Sequence, residues 1–379
     1  MSKAAELAAL IANVNNGSSL ANKNFIINGA MNVSQRGTST TGLGSANGVY
    51  SLDRFFVTVS GTTAGRATIS QVADAHDGFA NALKLECTTA DTSIAATELF
   101  GLTTRLEGQN LQSISKGSSD AKPVTVSFYV KGNASATYAC EIADRDNSRH
   151  CSKPFSVTTS WNRIELNFPA DTTGAFDDDN AASMDLNFFL HAGTNFTSGT
   201  QNTSAFASTT SANRALATTS FFDSTDRTLF ITGLQMEIGE KATAFEHEPF
   251  SESLKKCQRY YFRMEGVDID GGKYSTHYQK RSASGYFYTD TAVLAHFYFP
   301  VPMRIAPTAL EQSGTDNHYD FVYRNTTSTP SGSVIQFNDA TQYYCTTYQA
   351  SHTDNNAQGE AGFQRIRQSA GYLGWSAEL

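Results

Sequence analysis

The sequence predicts an all-β protein: two jelly-roll or β-sandwich domains preceded by a short N-terminal helix. Three observations lead there. Apolar residues recur at every second position in short runs such as Val124-Thr125-Val126-Ser127-Phe128-Tyr129-Val130, the pattern of strands with one buried face. The runs end in turn chemistry such as Lys131-Gly132-Asn133, with no helical segment between them to supply a βαβ crossover. Finally, 40% of the 379 residues are hydrophobic and only 17% charged, so Ser, Thr, Asn and Gly must cover the surface. That is the composition of a β-rich extracellular or virion protein.

Residues 1–22 form a helix and joint. Ser2 can cap a helix over residues 2–14, and Leu7, Leu10, Ile11 and Val14 make one apolar stripe before Asn15-Asn16-Gly17-Ser18-Ser19 breaks it. A helix this short is marginal alone, so its stripe needs a partner: copies of itself in an oligomer, or the chain's own first domain. Residues 23–250 are the first domain. After Val124–Val130, alternation continues through Tyr138–Ile142 and Trp161–Phe168, with Trp161, Arg163, Glu165 and Asn167 opposite Ile164, Leu166 and Phe168. Strands at Leu186–Ala192 and Leu229–Ile231 complete the set, and Thr194–Thr219 is a surface loop or a pair of weak edge strands. Residues 251–379 form a smaller sandwich that opens with a short helix at Ser251–Cys257. It holds 13 of the 16 tyrosines. Its strands are expected at Arg259–Met264, Tyr274–Tyr278, Tyr286–Tyr288, Val293–Phe299, Phe321–Arg324, Val334–Phe337 and Tyr343–Tyr348, with a tight hairpin at Asp270-Gly271-Gly272.

Two phrases bracket the first domain. Near the front stands Asn24-Phe25-Ile26-Ile27-Asn28-Gly29, followed by Gln35-Arg36-Gly37 and Asp53-Arg54-Phe55. Far downstream comes Gly233-Leu234-Gln235-Met236-Glu237-Ile238-Gly239, running to Phe245-Glu246 and Pro249-Phe250. Together with Cys257-Gln258-Arg259-Tyr260-Tyr261 and the ending Ser376-Ala377-Glu378-Leu379, they resemble bacteriophage tail-fibre and related virion proteins. Those proteins carry a carbohydrate-binding-module-like jelly roll and a C-terminal tip domain. The resemblance implies a structural or adhesive virion protein, commonly a homotrimer, whose target is a host-surface glycan or protein. Related glycan-binding jelly rolls often hold a structural calcium with an acidic residue of the closing strand; this chain has Gln235 there, with Glu237 nearby.

Catalytic and metal signatures are thin. The histidines are scattered, which excludes an HExxH helix, and neither a Gly-x-Ser-x-Gly elbow nor a P-loop is present. Asp268-Ile269-Asp270-Gly271 lacks the later ligands of a calcium loop, and Asp177-Asp178-Asp179-Asn180 reads as a solvated loop. Glu98, Glu107, Asp185 and Glu237 are the carboxylates from which a glycan-degrading pair could be drawn. No metal or cofactor is therefore expected. A net charge of −8 argues against nucleic acid, and no apolar run is long enough to insert in a membrane. Nor is a signal peptide visible, so assembly in a host cytoplasm is expected. Cys140 and Cys151 fall on either side of a turn at Arg145–Arg149, either as a disulfide or as two free thiols.

Aromatic residues give the binding candidates. Tyr319, Phe321 and Tyr323 alternate and share one strand face, as do Tyr286 and Tyr288; such rows serve recognition surfaces, cross-strand packing or oligomer interfaces. The expectation is a virion fibre exposed on the particle exterior. It attaches to other virion proteins through the N-terminal region and makes multivalent contacts with the host surface through residues 251–379. The alternatives are a capsid decoration or tail adaptor without receptor binding, and a glycan-degrading tailspike.

Overall fold

The computed structural model describes residues 3, 23–61, 63–216, 218–266, 282–324, 326–352 and 358–379. Leu7, Leu10, Ile11 and Val14 lie outside the described residues, as do the Asp270-Gly271-Gly272 turn and the strand expected at Tyr274–Tyr278. Two compact units emerge, one running to Ser253 and including Leu379, the other Leu254–Glu378.

In chain order the first unit contains β1 (Ser39–Leu43), β2 (Val49–Tyr50), β3 (Phe56–Ser60), β4 (Arg66–Val72), β5 (Ala82–Thr89), β6 (Leu99–Glu107), β7 (Val124–Gly132) and β8 (Ala136–Asp144). It continues with β9 (Arg149–Val157), β10 (Asn162–Phe168), β11 (Ala182–Ala192), the one-turn helix α1 (Thr194–Thr197), β12 (Ala207–Ser208) and β13 (Thr228–Ile238). They build a six-stranded sheet, β1-β4-β5-β13-β7-β10, against a seven-stranded sheet, β12-β9-β8-β11-β6-β3-β2. The late strand β13 sits between β5 and β7, and β11 between β8 and β6. This winding of sequence-distant strands into two antiparallel layers is the jelly-roll plan.

One core fills the space between the layers. Ile69, Leu83, Leu85, Val126, Phe128, Val130, Leu229 and Ile231 of the first sheet meet Leu102, Ile142, Leu186 and Phe188 of the second. Each of these residues alternates with a neighbour pointing away from the core, as period-two patterning requires. The rings of Phe128, Phe155 and Phe188 meet edge to face, with centroids 5.1 Å apart for Phe128 and both partners.

The conspicuous opening phrase is a clasp. Asn28 is fully buried with φ of 63°; its Nδ2 donates to the carbonyls of Val33 and Asp53, and its Oδ1 accepts the Val33 N–H. The Asp53 carboxylate accepts the backbone N–H and side-chain amide of Gln35, at 2.8 and 2.5 Å. Arg54, 2% exposed, donates to the Arg105 carbonyl on β6. Side chains here do the hydrogen bonding that irregular backbone cannot do for itself.

All five cysteines are free. The β8–β9 hairpin turns at 145–148, as its sequence suggests, but the register pairs Cys140 with Lys153 and Cys151 with Ile142. The two thiols are diagonal neighbours, not opposite one another, and each takes an ordinary place in the core.

The second unit begins with the end of α2 (Phe250–Gln258) and contains β14 (Tyr261–Glu265), β15 (Ser282–Thr289), β16 (Ala292–Tyr298), β17 (Glu311–Gln312) and β18 (Tyr319–Tyr323). The remaining strands are β19 (Thr326–Ser328), β20 (Gln336–Ala340), β21 (Tyr344–Gln349), β22 (Ala361–Ile366) and β23 (Tyr372–Ser376). A three-stranded sheet, β14-β23-β17, accompanies a seven-stranded sheet, β19-β18-β22-β15-β16-β21-β20. The core contains Phe287, Phe297, Tyr319, Phe321, Ile335, Ile366, Leu373 and Trp375.

Candidate ligand-binding face

The first sheet of the first unit presents a row of side chains that runs across its strands. Register places Ser39 of β1 beside Ser70 of β4, Ser70 beside Lys84 of β5, Lys84 beside Phe230 of β13, and Phe230 beside Lys131 of β7. Trp161 precedes Asn162, which pairs with Val130, so its indole stands next to Lys131 at the far edge. The flanking residues Ile69, Leu83, Leu85, Leu229, Ile231 and Val130 are all fully buried, and alternation therefore turns the row outward.

Aromatic rings and paired charges make up the centre of this row. Lys131 Nζ lies 4.7 Å from the Phe230 ring centroid and 5.1 Å from that of Trp161. The two rings meet at 6.3 Å, edge on. Asp74 holds the same ammonium at 2.7 and 2.9 Å, and Lys84 is paired with Glu86 at 2.6 Å. Rings with cations over them, flanked by hydrogen-bonding pairs, suit a ligand with apolar C–H faces and hydroxyl edges.

A second group of rings rises beside the row. His76 stacks on Tyr129 at 4.0 Å; Phe79 packs against Tyr129, Phe245 and His247 at 5.6, 5.0 and 5.1 Å. Gly233 lets this wall approach the sheet. It has φ of +61° at a register shift in β13, and a Cβ there would stand 2.6 Å from Phe79 and 2.9 Å from Tyr129. Beyond the wall, residues 240–247 fold over β13 and close that half of the sheet. Glu237 Oε1 accepts the Gln235 amide and the Thr243 N–H, both at 2.8 Å, and Glu237 Oε2 accepts the Thr243 hydroxyl at 2.7 Å. The Glu246 N–H donates to Gln235 Oε1. With an amide N–H₂ and other donors already aimed at Glu237, these residues do not fit a calcium ion.

The opposite sheet is closed. Residues 193–216 strap across its outer face: the Gly193 N–H donates to Glu98 O, the Ser152 N–H to Asn202 O, and Arg149 to Phe206 O. Arg214 grips Glu141, which is fully buried, with Nε at 2.9 Å and Nη2 at 2.5 Å. Among its described residues, the segment expected as a loop or weak edge strands is thus mostly irregular, with α1, β12 and a one-turn 3₁₀ helix at Ser211–Asn213 as its regular pieces.

The expected site residues divide by face. Tyr319, Phe321 and Tyr323 do share one face of β18, but it is the inner one: they are 0%, 0% and 6% exposed. Tyr319 Oη donates to the Tyr372 carbonyl, and Phe287 packs 5.1 Å from Phe321 and 5.0 Å from Tyr323. These three belong to the core and present no surface to a receptor. Tyr286 and Tyr288, 38% and 52% exposed, lie on the outer face of β15. Trp161, Phe230, Lys84, Lys131 and Tyr129 were missed as a group. Alternation set Trp161 opposite Ile164, Leu166 and Phe168, but only the pairing of distant strands makes the five neighbours.

The carboxylates considered for glycan cleavage are held in place by their neighbours. Asp185 is bound by Arg105 at 2.7 Å and Arg145 at 2.9 Å, and Glu237 as described. Glu107 accepts from Gln109, and Glu98 lies 3.2 Å from His191 Nε2. His191 Nδ1 also shares a 2.8 Å hydrogen bond with Ser220, giving the composition of a hydrolytic relay. The imidazole is fully buried, however, and Ser220 Oγ accepts the Phe222 N–H, so the trio braces the 220–222 turn beneath the Phe222 ring. Among the described residues, no three His, Cys, Asp or Glu side chains are placed to hold a metal ion, and no helix is long and apolar enough to cross a membrane.

No family model and no curated protein matches the chain. Similar solved structures include a family 11 carbohydrate-binding module from Clostridium thermocellum in complex with a β-1,3-1,4-mixed-linked tetrasaccharide, at 15% identity and a TM-score of 0.27 over 55% of this chain and 98% of that one. The enzymatically active domain of bacteriophage CBA120 tailspike protein 4 is similar at 10% identity and a TM-score of 0.30, over 57% of this chain and 22% of its own. The CBM22-1-CBM22-2 tandem domain of Paenibacillus barcinonensis Xyn10C is similar at 10% identity and a TM-score of 0.29, over 95% of this chain and 100% of that one. At these TM-scores the likeness extends to neither ligand nor chemistry.

Proposed function

We propose that this chain is a virion surface protein, of the tail-fibre kind, that binds carbohydrate on the open half of the first unit's outer sheet face. One observation carries the reading: Phe230 and Trp161 stand half-buried on either side of Lys131, on a sheet face whose other half the chain itself closes. Rings fixed on strands are pre-organised contact area, and lose little freedom when a sugar stacks on them.

In this reading residues 1–22 attach the protein to the particle or join its copies, most simply as a homotrimer, and several copies multiply weak individual contacts. The exposed Tyr286 and Tyr288 of the second unit offer a further contact surface for host protein, host glycan or a neighbouring virion component. No reaction is assigned to the chain.

The test is a glycan array probed with the full-length protein, beside the double variant Trp161→Ala, Phe230→Ala and a variant with Tyr286 and Tyr288 replaced by alanine. Binding that survives in the tyrosine variant and is lost in the Trp161, Phe230 variant supports the assignment. If the tyrosine variant alone loses it, the site moves to the second unit. Blocking of phage adsorption by the soluble protein would support the fibre role, whereas a particle lacking it that adsorbs normally but falls apart would favour a capsid or tail structural role.

A further inference from the structure

We infer that the ligand of this face is an uncharged, extended glycan that lies across the strands, its chain following the row from Ser39 to Trp161. This rests on the carbohydrate-binding reading above and specifies the class of ligand and its direction.

Charge decides the class. Three cations stand on or beside the row, and each is matched by a carboxylate: Lys131 by Asp74, Lys84 by Glu86, and Arg163 by Glu165. In all three pairs the carboxylate is the more exposed partner. Asp74 is 59% exposed against 19% for Lys131, Glu86 48% against 25% for Lys84, and Glu165 47% against 28% for Arg163. A ligand arriving from solvent therefore meets carboxylate oxygens first, with the ammonium and guanidinium groups behind them. A polyanionic glycan would be repelled and would have to break three ion pairs to reach the cations. A sugar hydroxyl both donates and accepts, so it can bridge such a pair without breaking it.

Register decides the direction. Ser39, Ser70, Lys84, Phe230 and Lys131 occupy successive strands at matched positions, with Trp161 beside Lys131. Five steps of about 4.8 Å give a track about 24 Å long, with a sugar ring of about 5 Å roughly matching one strand spacing. A chain laid along the strands would instead run into the wall of Phe79, Tyr129 and His76 on one side. The two aromatic platforms, 6.3 Å apart between ring centroids, stand together toward one end of the track, so a ligand of two rings already reaches both and longer ones extend from them over Lys84 and Ser70 toward Ser39.

The experiment is calorimetry on the full-length protein with neutral gluco- and galacto-oligosaccharides from disaccharide to heptasaccharide, oligogalacturonides of the same lengths, and a de-N-acetylated amino-glycan series as the cationic counterpart. The expected result is binding of a neutral series, little changed between low and high salt, with affinity rising to about five rings and then level. Phe230→Ala and Trp161→Ala should each weaken every length, the disaccharide included, by about tenfold or more, while the gain with added rings persists. Unchanged melting temperatures confirm that the variants fold, and the length series on the unmodified protein stands without them. Salt-sensitive preference for either charged series, or an affinity that does not grow beyond the disaccharide, would overturn this inference while leaving carbohydrate binding intact. Failure of the unmodified protein to bind any series would overturn both.

Discussion

Lys131 stands over the Phe230 ring, its ammonium 4.7 Å from the ring centroid, and the pairing joins β7 to β13 on the outer face where no apolar core can do so. Its counter-ion Asp74 is largely exposed, so the ion pair itself contributes little to folding. Lys131→Met should therefore change unfolding free energy by no more than about 1 kcal/mol, while weakening glycan binding several-fold through loss of the cation and its hydrogen bonds. Chemical denaturation and calorimetry on the same sample separate the two effects.

Gly233 is the hinge between row and wall. Its left-handed backbone and the closeness of Phe79 and Tyr129 leave no room for a side chain. Gly233→Ala should cost about 1–3 kcal/mol in denaturant unfolding, and Gly233→Val more. Wild-type stability in the alanine variant would mean that the bulge relaxes without strain.

The strap over the opposite sheet depends on Arg214 and Glu141. Removing the guanidinium leaves a fully buried carboxylate without its counter-ion, while the Asn187 amide still donates to it at 3.1 Å. Arg214→Ala should destabilise the first unit by about 3–5 kcal/mol. Amide hydrogen exchange should quicken through residues 193–216 before it does so in β8 or β11; uniform quickening would indicate global unfolding and not release of a strap.

Acid should act through Asp171. Burial by itself raises this carboxyl, but hydrogen bonds from Arg149, the charge of Lys116 and the Thr173 N–H outweigh it and hold the group below the ordinary carboxylate range. A depressed folded-state value contributes stability that is present above the unfolded carboxylate range, near pH 4, and is lost as pH falls through the lower folded value. Asp171→Asn should lower stability at neutral pH and flatten the decline of stability below about pH 4, measured by urea titration across pH. An acid limb as steep as that of the unmodified protein would assign the pH dependence to other groups.

The five thiols should be silent in the native protein. Burial pushes Cys140 well above the ordinary thiol range and raises Cys151 and Cys345 to about 11. Iodoacetamide at neutral pH should label none of the five until denaturant is added and then all five, without a reductant, as read by intact mass. A need for reductant before full labelling would establish a disulfide.

Much of this architecture is readable along the chain. Val124–Val130 and Trp161–Phe168 alternate in the sequence and do so in β7 and β10, where Val126, Phe128, Val130 and Phe168 all reach the core. The turn between Cys140 and Cys151 falls where it was expected, but the register that separates the thiols is a property of the pair of strands. The opening phrase was conspicuous as sequence, yet its roles, Asn28 satisfying the Val33 backbone and Asp53 holding Gln35, require atoms brought together across a turn.

Period-two patterning by itself determined strands, antiparallel layers and the sorting of each strand into two faces, because side-chain direction along a strand is a local consequence of the pleat. It could not say which face looks inward. Tyr319, Phe321 and Tyr323 carry the same alternation as Tyr286 and Tyr288, and only the packing of one layer on another buried the first set and exposed the second. Nor could it assemble the row of Ser70, Lys84, Phe230, Lys131 and Trp161, whose members come from five separate stretches of chain. Pairing between distant strands is decided by the burial of every apolar face at once, and that is settled only by the folded whole.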